Sequence, residues 1–81
     1  MGKFGERIKL GRLIKGYTQE ELGRKLGRAN SSNISSWETG QRLPRATQIP
    51  KLARTLEIEA SELAQLWLAD SLEKVKEKGN G

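Results

Sequence analysis

The stretch Asn30-Ser31-Ser32-Asn33-Ile34-Ser35-Ser36-Trp37 puts four hydroxyls and two amides into eight consecutive residues. Hydroxyls at this density serve either as nucleophiles or as hydrogen-bonding groups, and the rest of the chain decides between the two. A serine nucleophile needs an activating base within reach. The chain has no histidine and no cysteine, and no plausible base accompanies these serines. No paired arrangement of carboxylates or lysines suggests an enzyme either. Hydrogen bonding remains. Ile34 and Trp37 stand three apart, the spacing of one helical face. Serine and asparagine each lower helix stability by about 0.5 kcal/mol relative to alanine. Burial of Ile34 and Trp37, on the order of 2 kcal/mol each, offsets that loss. The segment reads as a short helix held by two apolar side chains, with an outer face of short polar groups that meets something other than protein.

Composition narrows what that something is. The 81 residues suggest one domain, near the size where a core alone gives modest stability. Without cysteine there is no disulfide or thiolate metal site, and without histidine no imidazole ligand, so neither metal nor cofactor is expected. No apolar run approaches membrane-spanning length. Met1 to Leu10 alternates charged and apolar residues and does not read as a secretion signal. A cytoplasmic protein is expected, and the N-glycosylation patterns at Asn30 and Asn33 then have no use. Net charge is +5, unevenly spread. Residues 1–54 hold 12 Lys/Arg and four acids, a net +8, whereas residues 55–81 hold three lysines and six acids, a net −3. A basic front and an acidic back suggest that a polyanion faces the front. With four aromatic residues, one of them the buried-looking Trp37, there is no stacking platform for single-stranded RNA.

The elements that must position the polar segment are helices. Phe4, Ile8, Leu10, Leu13 and Ile14 place a first helix over Lys3 to Lys15, stopped by Gly16. Thr18-Gln19-Glu20-Glu21 is a capping box and opens a second helix, with Leu22 and Leu26 as its buried stripe and Gly27 as its end. Asn30 caps the third, which Gly40 ends. Gln41 to Arg45 is a basic loop with a proline. A fourth helix begins near Thr47 to Ile49, with Pro50 in its first turn and Leu52, Ala53 and Leu56 on its face. A fifth opens at Ala60 or Ser61 and carries Leu63, Leu66, Trp67, Leu72 and Val75. The expected fold is all-α, five helices. The two short helices and the glycine-containing turn between them form a helix-turn-helix by spacing.

"KGYTQEELGRKLG" (Lys15 to Gly27), "ISSWETGQRLP" (Ile34 to Pro44) and "KLARTLEI" (Lys51 to Ile58) resemble the lambda-repressor/Cro-like, or XRE, family of helix-turn-helix proteins. The resemblance covers residues 4–63. It leaves a helical extension over 64–78 and a frayed tail at 79–81. It implies a compact lambda-repressor-like DNA-binding domain with an extended last helix. It also implies roles. Ser31, Ser32 and Asn33 match the first turn of the recognition helix, which meets base edges in the major groove, and Ser35 and Ser36 match positions further along it. Gln19 matches a glutamine that grips phosphate. Thr39, Gln41, Arg42 and Arg45 fall where the following loop tracks the DNA backbone. Arg12 and Glu38 match an ion pair tying the first helix to the third, with Arg12 also in reach of phosphate.

Three departures from the family pattern carry information. The turn between helices two and three is one residue longer, most simply an inserted Arg28 or Ala29, and Arg28 then adds a phosphate contact. Gly11 stands where a bulky apolar residue is usual, and Leu13 and Ile14 stand where charged residues are common. This suggests that the first helix packs differently, against the long last helix. That last helix runs past the family core. Its Leu66, Trp67, Leu72 and Val75 belong either to the core or to the interface of a homodimer, which would read an inverted repeat about 34 Å apart. The function expected is sequence-specific double-stranded DNA binding by a small bacterial or phage repressor. An antitoxin or a restriction–modification controller of the same fold, or a protein-interaction module that has lost DNA binding, are the rival readings.

Overall fold

Five helices and one 3₁₀ turn follow the order α1 (Lys3–Lys15), α2 (Gln19–Leu26), α3 (Ser31–Thr39), the turn Ala46–Gln48, α4 (Ile49–Leu56) and α5 (Ala60–Asn80). The computed structural model describes the backbone of residues 2–27 and 30–80, and side chains up to residue 73. Among the described residues there is no strand. The all-α expectation therefore holds, and α5 runs through Gly79 to Asn80 rather than stopping at Lys78.

The helix ends are closed by the residues that announce them. Gly16 adopts φ 77°, and the Tyr17 amide donates to the Arg12 carbonyl at 3.1 Å, closing α1. At the start of α2, the Glu21 amide donates to Thr18 Oγ1 at 3.0 Å and the Thr18 amide donates to Glu21 Oε1 at 2.8 Å. That second bond holds the Glu21 carboxyl below its ordinary pKa. Asn30 Oδ1 accepts from the Asn33 amide at 2.9 Å and caps α3.

Each helix sends at least one fully buried side chain to a single core: Phe4 and Ile8 from α1, Leu22 and Leu26 from α2, Ile34 from α3, Leu52 from α4 and Leu63 from α5. Each such burial contributes about 1.5–3 kcal/mol. α1 comes closest to its neighbours where it lacks side chains. At Gly5, an added Cβ would lie 2.5 Å from the Glu38 carbonyl oxygen and 2.8 Å from its carbon, so the two backbones touch. At Gly11, the same atom would meet Ile58 Cδ1 at 3.0 Å and Leu56 Cβ at 3.4 Å. α1 does pack on α5, as expected, but not through Leu13 and Ile14. Gly11 makes room for the end of α4 and the residues after it. Leu13 and Ile14 pack on nothing comparable, being 56% and 71% exposed.

α5 fastens back onto α1. The residue before α1, Gly2, offers no side-chain cap. Instead the buried Asp70 accepts from the Phe4 amide at 3.0 Å, a cap supplied from the far end of the chain. A carboxylate there also faces the positive end of the helix dipole. Arg7 Nε donates to Glu62 at 2.8 Å on the same side. Asp70→Ala is expected to cost about 2 kcal/mol, since a buried amide loses a charged acceptor. Asp70→Asn, which keeps an acceptor oxygen, should lose less than half of that. Urea unfolding of the two variants checks the ranking.

Candidate nucleic-acid interface

The inner side of α3 is fixed at three points. Ile34 and Trp37 enter the core, and Glu38 is buried beside them. Arg12 Nε donates to Glu38 Oε2 at 2.6 Å and Arg12 Nη2 to Oε1 at 3.2 Å, a two-pronged pair. Arg12 Nη1 donates to the Tyr17 carbonyl at 2.9 Å. With three donor atoms engaged and its side chain 10% exposed, Arg12 ties α1 to α3, and it also lines an open groove with Gln19 and Ser31. Glu38 Oε1 also accepts from Gln19 Nε2 at 3.0 Å. One buried carboxylate thereby joins α1, α2 and α3.

That network orients Gln19. An ionised carboxylate only accepts, so the NH₂ end of the Gln19 amide must face it. The second N–H of that NH₂ group remains at the half-buried first turn of α2. An open groove there is lined by Gln19, Tyr17, Thr18 and Ser31, so Gln19 and the first residue of α3 share one surface.

The outer side of α3 carries what the sequence places there. Ser31, Ser32, Asn33 and Thr39 are exposed, and Ser35 and Ser36 are half-buried. At about 100° per residue, Ser32 and Ser36 lie opposite the buried Ile34, Trp37 and Glu38. Thr39 Oγ1 donates to the Ser36 carbonyl at 3.2 Å, so its proton is engaged within the helix. The loop after Gly40 turns back on α3, with the Arg42 amide donating to the same Ser36 carbonyl at 3.2 Å. Arg42 and Arg45 are exposed, and neither makes an ion pair among the described residues. Gln41 is exposed on the same loop.

The basic front is thus less uniform than its sequence. Arg7, Arg12 and Lys15 of α1 are matched by Glu62, Glu38 and Glu57. The Lys15–Glu57 bond raises the pKa of the lysine and lowers that of the glutamate. Lys51 Nζ donates to the Leu26 carbonyl at 3.3 Å and caps α2, and Lys25 Nζ lies 4.9 Å from the centre of the Tyr17 ring. Among the described residues, Arg42 and Arg45 beside α3 make no ion pair, and neither do the exposed Lys3, Lys9, Arg24 and Arg54 elsewhere. Arg28 and the side chain of Val75 lie outside the described residues. Leu66 and Trp67 pack partly against the core, whereas Leu68 and Leu72 are 52% and 61% exposed on α5.

Two short helices joined through one buried carboxylate, the second with a polar outer face, fit a helix-turn-helix, and the helix-turn-helix family pattern matches residues 8–63. The chain belongs to the XRE-type helix-turn-helix family. This helix-turn-helix chain is also 44% identical over 61 residues to the uncharacterized HTH-type transcriptional regulator YazB of Bacillus subtilis (strain 168), a match spanning 75% of the chain and 87% of the relative. No solved structure matches it. The family match ends at Leu63, so Trp67 and Asp70 lie beyond it. Three interactions of this helix-turn-helix unit were missed in the sequence: the Gly5 crossing, the Asp70 cap and a bond from Trp67 to the loop after α3. Among the described residues, no group of carboxylates is placed to hold a metal, and no helix is long and apolar enough to cross a membrane.

Proposed function

We propose that the protein is a sequence-specific, double-stranded DNA-binding transcriptional regulator acting as a repressor. The observation that carries this reading is the contrast between the two sides of α3. Its inner side is locked by Ile34, Trp37 and the Arg12–Glu38 pair, and its outer side is wholly small and polar. A helix so dressed lets its backbone approach the floor of a major groove. Asn33 is the longest side chain of the first turn, and an amide pairs with adenine through both donor and acceptor. Ser31, Ser32, Ser35 and Ser36 supply short hydroxyls that discriminate bases weakly, so DNA shape contributes to selection. Gln19 meets a phosphate with its second N–H. Arg28, Gln41, Arg42 and Arg45 meet phosphates along the backbone, and Thr39 contributes as an acceptor or after release of its proton from Ser36.

A homodimer on an inverted repeat fits this reading, with the exposed Leu68 and Leu72 of α5 as the contact. Selection from a random duplex pool at moderate salt tests the whole proposal. An enriched inverted repeat is expected. A single half-site would remove the dimer, and retention without a motif would remove sequence reading. Asn33→Ala should relax preference at one base pair of the half-site. Arg42→Ala with Arg45→Ala should weaken binding to all sequences alike. Together they should lower the magnitude of the log K against log salt slope by about 2, one for each lost phosphate contact. A slope equal to that of the unsubstituted protein would take both arginines off the backbone.

A further inference from the structure

Pro44 sits between Arg42 and Arg45 in a segment without regular structure, and its carbonyl has no helix or strand to bond within. A buried carbonyl needs a donor. The donor comes from α5: Trp67 Nε1 donates to the Pro44 oxygen at 2.7 Å. The loop is therefore pinned at three places. The Arg42 amide holds it to the end of α3, Leu43 packs on the core, and Trp67 holds it to α5. The Arg42 and Arg45 side chains, at the first pin and just past the last, are exposed. Trp67 itself is half-buried and lies outside the residues the family pattern matches.

We propose that Trp67 is a positioning residue for DNA binding: by fixing the Pro44 carbonyl, its indole N–H sets where Arg42 and Arg45 meet the phosphate backbone. The proposal rests on the DNA-binding reading above. Its physical basis is order established before the complex forms. An arginine releases counterions only when its guanidinium sits on a phosphate. A loop already held in the bound shape loses less freedom on binding. α5 thereby tunes affinity without touching DNA, through a bond that reaches 23 residues back along the chain.

The test deletes the donor and keeps the ring. In the full chain, Trp67 is replaced by 3-benzothienylalanine, which carries sulfur where indole has N–H, and separately by phenylalanine. Binding to duplex DNA is followed by fluorescence anisotropy across a salt series, and amide exchange is measured in parallel. The expected result is about fivefold to tenfold weaker binding at moderate salt. The salt slope should fall by about one to two contacts. Exchange should quicken at Arg42 and Arg45 with the helices unchanged. Arg42→Ala should also cost less in the sulfur variant than in the unmodified chain, because its contact is already impaired. Unchanged affinity, slope and loop exchange in a variant of a DNA-binding parent would overturn the role of Trp67 alone. Strictly additive effects with Arg42→Ala would do the same. Absence of salt-dependent binding by the unmodified chain would overturn the DNA-binding reading and this proposal with it.

Discussion

Gly5→Ala is expected to destabilise the protein by roughly 3 kcal/mol, against the usual gain of about 1 kcal/mol when alanine replaces a helical glycine. The sign follows from what the new methyl would meet. It would lie 2.5 Å from the Glu38 carbonyl oxygen, and closer still to that of Trp37. Both are backbone atoms in the last turn of α3 and cannot rotate away. α1 would have to lift off α3, stretching the Arg12–Glu38 pair that joins the same two helices. A domain of this length has on the order of 4–12 kcal/mol in hand, so a large share of the stability would go. Gly11→Ala is the control. Its methyl would meet the tip of Ile58, a flexible side-chain end that can shift by a few tenths of an ångström. That clash is small enough for the gain in helix propensity to leave the variant near the parent. Urea unfolding of both variants decides the matter; equal midpoints would show that the Gly5 crossing is not a tight one.

Glu38→Ala carries the second large effect, about 3–5 kcal/mol, because it leaves a buried guanidinium without its counter-charge. The Tyr17 carbonyl would be the remaining acceptor for Arg12. Replacing both members, Arg12→Met with Glu38→Leu, should recover most of the loss, since an apolar pair of similar volume has no charge to desolvate. DNA binding is expected to separate from stability in that double variant. Gln19 would lose the acceptor that turns its amide, so affinity for duplex should stay below that of the parent although the fold is restored. Unfolding midpoints and duplex affinity measured on the same three proteins test this. Parent-like affinity in the double variant would mean that Gln19 needs no orientation.

Local signals in the sequence were enough to place the helices and much of the candidate site. Gly16, the Thr18–Glu21 box, Asn30 and Gly40 each act within four residues of themselves, so their effect can be read from the chain alone. The polar face of α3 is visible for the same reason: it is the complement of Ile34 and Trp37. What escaped the sequence acts at a distance. A glycine within a helix reads as a weak position, and nothing near Gly5 says that another backbone occupies the missing side chain's place. Asp70 looks like a solvated charge until α5 is laid on α1. Leu13 and Ile14 mislead in the opposite direction: their apolar character suggests packing, yet the neighbouring helices pass on the other side of α1. Trp67 offered one hint, an aromatic residue just past the family-like segment, but its hydrogen bond to Pro44 follows only from the fold.

The bond from Phe4 to Asp70 spans 66 positions of an 81-residue chain. Synthesis proceeds from the amino end, so α1 leaves the ribosome first and waits longest for a group to close its leading turn. Its close fits at Gly5 and Gly11 require α3 and the end of α4. The leading turn of α1 therefore closes only once α5 is in place, whereas the α2–α3 pair, whose N-terminal caps are local, can begin to form before then.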